Sequence, residues 1–163
     1  MENNKQERNY IEILKNSMDR KEQVLEKILL ANEEQKQLAL EPKFDYDKFD
    51  QIYEEKGKLI SELNLLDSGF QSIYDRVSET LANGREQYKD DIIKLQESIR
   101  KVTQLSMEIE ASEKRNKELM EKTVSNLKND VKVAKATSKA AAGYYNNMSR
   151  LTVIEPQFMD KKK

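Results

Sequence analysis

Cysteine, histidine and tryptophan are all missing from this 163-residue chain, which also holds only 4 glycines and 2 prolines. Without cysteine there is no disulfide and no thiol nucleophile. Without histidine the usual zinc ligand sets, Ser-His triads and the side chain best suited to proton transfer near neutral pH are excluded. No glycine-rich loop of the kind that cradles a phosphate occurs. A dominant charge sign is lacking too: 29 Lys+Arg against 30 Asp+Glu leave a net charge of -1. No overall field therefore draws the chain to nucleic acid or to an anionic membrane. No apolar run approaches the roughly 20 residues a membrane span needs, and the N-terminus lacks the apolar core of a secretory signal. These absences predict a cytoplasmic, non-enzymatic protein with no cofactor, no nucleic acid and no membrane insertion. A carboxylate-only metal site is disfavoured because Asp and Glu stand beside Lys and Arg on solvated faces, so no metal is expected.

What is present favours long helices. Charged residues make up 36% of the chain and hydrophobic ones 37%, with a mean hydropathy of -0.90. That is dilute for a compact globule, yet the apolar residues recur at helical spacing, as thin helical packing requires: one buried stripe per helix, charged faces elsewhere. The length fits one domain, 1–163. The expected fold is all-α, an elongated antiparallel bundle or coiled coil of three long helices, the third much the longest.

Helix one is expected over about 7–40. Ile11, Leu14, Met18, Leu25 and Ile28 follow three-and-four spacing with Lys21 interrupting the row. Asn32 and Gln35 take the next positions, so the stripe thins and this end is expected to be loosely packed or frayed. Pro42 stops the helix, Asp45 or Asp47 can cap the next one, and Phe44 can pack across that cap. Helix two, about 46–82, carries the most regular row: Phe49, Ile52, Lys56, Leu59, Leu63, Leu66, Phe70, Ile73, Val77 and Thr80, eight of ten apolar. The row keeps phase through Gly57 and Gly69, which are read as tolerated inside the helix. Asn83-Gly84 supplies the second turn through the left-handed conformation both residues accept.

Helix three is expected over about 86–147, where no Gly or Pro intervenes before Gly143. Tyr88, Ile92, Leu95, Ile99, Val102 and Ile109 form its proximal stripe; Ser106, Glu113 and Asn116 make its centre polar. Two successive four-residue steps, Asn116 to Met120 to Val124, form a stutter that reorients the apolar face. At about 1.5 Å per residue the first two helices run roughly 50 Å each and the third roughly 90 Å. The part beyond about Met120 is therefore expected to overhang, and its row of Val124, Leu127, Val131, Ala134, Ala141, Tyr144, Tyr145 and Met148 is the candidate partner-binding site. A kink near Asn116, or a fold into a fourth helix, stays open. Residues 149–163, with Pro156 and the charged end Asp160-Lys161-Lys162-Lys163, read as a flexible tail.

Together with the three-helix layout, Ser138-Lys139-Ala140-Ala141-Ala142-Gly143-Tyr144-Tyr145-Asn146-Asn147-Met148 and the ending Glu155-Pro156-Gln157-Phe158-Met159-Asp160-Lys161-Lys162-Lys163 resemble the FlgN-type flagellar export chaperones. The resemblance implies a cytoplasmic chaperone that binds the C-terminal helices of hook-filament junction proteins, prevents their premature assembly and delivers them to the flagellar export gate. It places the client on the positions from Leu127 to Met148 and a gate-contacting tyrosine at either Tyr144 or Tyr145. The tail after Met148 departs from the family's better-known members. The alternative is a structural coiled-coil protein with no client that self-associates through the same row; a homodimer that opens for its client is compatible with the chaperone reading.

Overall fold

Pro42 and the Asn83-Gly84 pair divide the chain where the sequence says they should. The computed structural model describes residues 2–134, with side chains for residues 5–129. Within them lie three helices and no strand: α1 (Glu2–Leu40, 39 residues), α2 (Tyr46–Asn83, 38 residues) and α3 (Lys89–Ala134, 46 residues). The fold is all-α. The expected continuation of helix three to about 147 and the tail at 149–163 lie outside the described residues.

The two turns are built differently. Asp45 caps α2: its Oδ1 accepts the Lys48 amide at 3.1 Å. Phe44 sets its ring 5.4 Å from that of Phe49, tying the residue before the cap to the first turn of the helix. Asp47 is left to complement the helix dipole. At the second turn the Gly84 amide donates to the Thr80 carbonyl at 2.8 Å, and Tyr88 donates to the Gly84 carbonyl at 3.0 Å. The Gly84 backbone is not left-handed, contrary to expectation. Glycine is needed there for closeness: a Cβ would lie 3.0 Å from both the Thr80 carbonyl oxygen and the Tyr88 ring. Residues 85–88 form a turn, so α3 starts three residues later than the expected start at about 86.

Contacts cluster into two compact units, and all three helices contribute to each. Unit 1 comprises Met1–Ile28 and Lys58–Met107. Its core takes Ile11, Leu14, Leu25 and Ile28 from α1, Ile60, Leu63 and Val77 from α2, Tyr88 from the second turn, and Leu95 and Val102 from α3. Polar contacts fix the helix directions. Thr80 donates to Glu7 at 3.1 Å, Arg20 meets Glu62 at 2.6 Å and Lys21 meets Asp67 at 2.6 Å, so α1 and α2 are antiparallel. Lys15 meets Asp91 and Lys101 meets Glu22, both at 2.8 Å, so α1 and α3 are parallel.

Unit 2 comprises Leu29–Gly57 and the chain from Glu108 onward. Its apolar cluster is Leu38, Phe49, Ile52 and Met120, flanked by Ala31, Ala39, Phe44 and Val124. Next to it lies a layer of polar side chains that are all buried: Asn32 and Gln35 from α1, Lys56 from α2, Ser112, Glu113 and Asn116 from α3. Asn32 Nδ2 donates to Ser112 Oγ at 2.8 Å, and Asn116 Nδ2 to the Asn32 carbonyl at 2.7 Å. Ser112 Oγ in turn donates to the Ile109 carbonyl at 2.8 Å. The Lys56 ammonium pairs with the Glu113 carboxylate and donates to Gln35 Oε1 at 3.4 Å. This corrects the expectation of a loose end to α1. Asn32 is fully buried and Leu38 is in the core, so the stripe does not thin; it changes chemistry.

Candidate functional site

Of the eight residues that the sequence nominates for partner binding, Val124 and Leu127 have described side chains. Val131 and Ala134 are placed only as backbone of α3, and Ala141, Tyr144, Tyr145 and Met148 lie outside the described residues. Val124 packs against the core cluster of unit 2, beside a buried Met120. Leu127 is half-buried. The covered part of the third helix thus extends about one turn past Met120, where the sequence reading had placed its limit. Phe44, from the α1–α2 turn, packs against the same cluster and sets its ring beside that of Phe49.

Val124 is the last α3 residue in that cluster, and α3 continues for ten residues more, to Ala134. At the helical rise that is about 15 Å of helix. The apolar spacing runs on along it through Leu127, Val131 and Ala134.

Unit 1 holds apolar surface that periodicity did not flag. Ile99 sits on the proximal stripe of helix three and was expected in the core, yet it is 47% exposed. On α2 no side chain between Leu63 and Val77 is buried, although Leu66, Phe70 and Ile73 occupy stripe positions. Two grooves result. The wider, of 530 Å³, lies between α2 and α3 and is lined by Tyr74, Leu81, Ile92, Ile93 and Ile99 among others. The narrower, of 360 Å³, lies between α1 and α2 and is lined mainly by Ile13, Leu14, Leu65, Leu66, Phe70 and Ile73. Phe70 of the second groove stacks on Tyr74 of the first, with ring centroids 5.9 Å apart. The sequence signal that could have found them is the cluster of apolar residues just off the stripe, Ile13, Leu65 and Ile93, which a strict three-and-four count passes over.

A third cleft of unit 1, between α1 and α3, is charged and laced with ion pairs; Lys15, Glu22 and Lys101 line it. Its cations are stabilised by their partners: hydrogen bonds to Asp91 and Glu12 raise the Lys15 ammonium above its ordinary pKa, and Glu22 does the same for Lys101. At the other edge of α1 a hydrogen bond from Arg76 lowers the Tyr10 phenol. The two lysines are thus charged forms held by ion pairs at the surface. Among the described residues no group of three or more acidic side chains is arranged to hold a metal, and no helix is long and apolar enough to cross a membrane. No protein family model, no curated protein and no solved structure matches this chain.

Proposed function

We propose that the chain is an export chaperone of the FlgN type, which holds a helical client along the part of helix three beyond Val124. In this reading the three helices form an antiparallel bundle, helix three continues to about residue 147, and Leu127, Val131, Ala134, Ala141, Tyr144, Tyr145 and Met148 present one face to the client. The clients are the C-terminal helices of hook-filament junction proteins, and Tyr144 or Tyr145 meets the export gate in the cytoplasm. The observation that carries the reading is that α3 continues for ten residues past Val124, its last residue in the unit 2 cluster, while its apolar spacing persists. A helix that carries an apolar row along one face is suited to helix-in-groove binding, where buried apolar area supplies the affinity. The resemblance at Ser138 to Met148 supplies the identity of the client.

The test is a titration of the full chain with purified C-terminal helical segments of hook-filament junction proteins. Substituting Leu127, Val131 and Tyr145 together by Ala is expected to abolish binding while circular dichroism keeps its full helical signal. Undiminished binding sinks the proposal, as does a loss of helix, which would make the row internal core. Light scattering across a concentration series addresses the self-association reading: a tight dimer dispersed by the same three substitutions would favour a structural coiled coil.

A further inference from the structure

We infer that the buried polar layer of unit 2 is a register lock: it selects one alignment of the three helices and does so at a cost in stability. The layer is composed of six side chains from three helices, each less than a tenth exposed. A buried ion pair rarely outperforms well-packed apolar residues of similar volume. Asn32 Oδ1 is buried without a hydrogen-bond partner among the described residues, a further cost. Stability alone therefore does not account for six polar residues at core positions.

Register does. The apolar rows that run from Tyr88 in the second turn along α3 repeat every seven residues: Tyr88, Leu95, Val102 and Ile109 in one, Ile92 and Ile99, then Met120 and Leu127, in the other. Rows of this kind look alike to a partner helix after a shift of seven, because Val102 can take the place of Ile109 at little chemical cost. The rows are interrupted at Glu113 and Asn116, as the α1 row Ile11, Met18, Leu25 is interrupted at Asn32 and the α2 row at Lys56. In the observed register these interruptions meet one another. Sliding α3 by seven residues would set Ser106 or Met120 opposite Lys56, and Leu105 or Leu119 opposite Asn32. Either slip buries the Lys56 and Glu113 charges without their partner, which is the largest penalty available in such a core. A single polar position can fix coiled-coil register by this means, and here three helices share the task.

The test compares the full chain with an apolar-layer variant, Asn32→Leu, Lys56→Met, Glu113→Leu and Asn116→Leu, and with the charge reversal Lys56→Glu, Glu113→Lys. The apolar layer is expected to melt at or above the temperature of the unaltered chain, yet to give extra or broadened amide cross-peaks for residues 29–57 and 108–129 in a ¹H–¹⁵N correlation spectrum. The charge reversal is expected to keep one cross-peak per amide. An apolar layer that gives a single sharp set of peaks overturns the inference, and so does one that unfolds, since the layer would then supply stability instead of selection. Multiple peaks from the charge-reversed chain overturn it as well, because a lock depends on complementarity and not on which helix carries the cation.

Discussion

The two units are made from the same three helices, yet they depart from the sequence pattern in opposite directions. In unit 1 the stripe promises more burial than the fold delivers: Ile99 is exposed, and α2 has no buried side chain from residue 64 to 76, although Leu66, Phe70 and Ile73 are stripe positions. In unit 2 the stripe promises less: Asn32, Gln35, Lys56, Glu113 and Asn116 look like interruptions and are all buried. Hydrophobic spacing tells which face of a helix turns inward. It does not tell how far the neighbouring helices close over that face, because closure depends on residues that are distant in sequence. Unit 1 consequently keeps its ion pairs at the rim, where water shares them, and unit 2 keeps one in its interior.

The largest effect that can break this comparison is a charge left alone. Lys56→Met strands the Glu113 carboxylate, whose side chain is 7% exposed. A cost of about 3–5 kcal/mol is expected. Lys21→Met in unit 1 removes the partner of Asp67, which is half exposed. That change is expected to cost about 1 kcal/mol or less. Urea unfolding followed by circular dichroism measures both. Equal losses would mean that the two units do not differ in how they screen charge.

Next come two isoleucines on helix three. Ile109 is fully buried in unit 2 and Ile99 is nearly half exposed in unit 1. Ile109→Ala should cost about 2–5 kcal/mol through lost transfer energy and the cavity left behind. Ile99→Ala should cost about 1 kcal/mol or less, since water already reaches that side chain. A large loss at Ile99 would show that its groove is closed in solution, by a second copy or by another part of the chain.

Particular residues show where the sequence was legible. The end of α1 at Leu40, the start of α2 at Tyr46 and the cap at Asp45 were all accessible, because Pro42, the Asp side chain and Phe44 act within a few residues of themselves. The cap itself was narrowed from two candidates to one only by the Lys48 amide. The burial of Asn32 was not accessible, since its partners Ser112 and Asn116 lie 80 and 84 residues away. For the same reason Val124 read as surplus: the cluster it packs against takes Leu38 from α1 and Phe49 and Ile52 from α2, all distant in sequence. Of the nominated binding row, the structure places Val124 in a core and leaves Leu127 at its edge, so the part of the site that sequence can still claim begins at Leu127.

Glycines separate local from tertiary effects. Gly57 in unit 2 and Gly69 in unit 1 both lie inside α2, and a Cβ at either would meet nothing within 4 Å. Alanine at each should therefore stabilise by about 0.5–1 kcal/mol through helix propensity alone, equally in the two units. Gly84→Ala should instead cost about 1 kcal/mol, because its Cβ presses on the Thr80 carbonyl and the Tyr88 ring. Thermal melts of the three variants would order them. A gain at Gly69 without one at Gly57 would mean that the polar layer near Gly57 constrains the backbone of α2.

The smallest effect concerns the rim of unit 1, and its sign follows from the Arg20–Glu62 pair. The Arg20 guanidinium, hydrogen-bonded to Glu62 at 2.6 Å, holds that carboxyl below its ordinary pKa of 4.5. Folding then favours the ionised form, so the pair's contribution is present above pH 4.5 and is lost as pH falls through the lowered folded value. Glu62→Gln mimics the protonated state. Its melting temperature should lie slightly below that of the unaltered chain at pH 7, and the two should converge as the pH drops below that range. Added salt should narrow the same gap, because both partners are reached by solvent, whereas the loss caused by Lys56→Met in unit 2 should hardly respond to salt. A gap at Glu62 that survives both acid and salt would place that pair in a drier setting than its exposure indicates, and the contrast between an open rim and a closed layer would no longer hold.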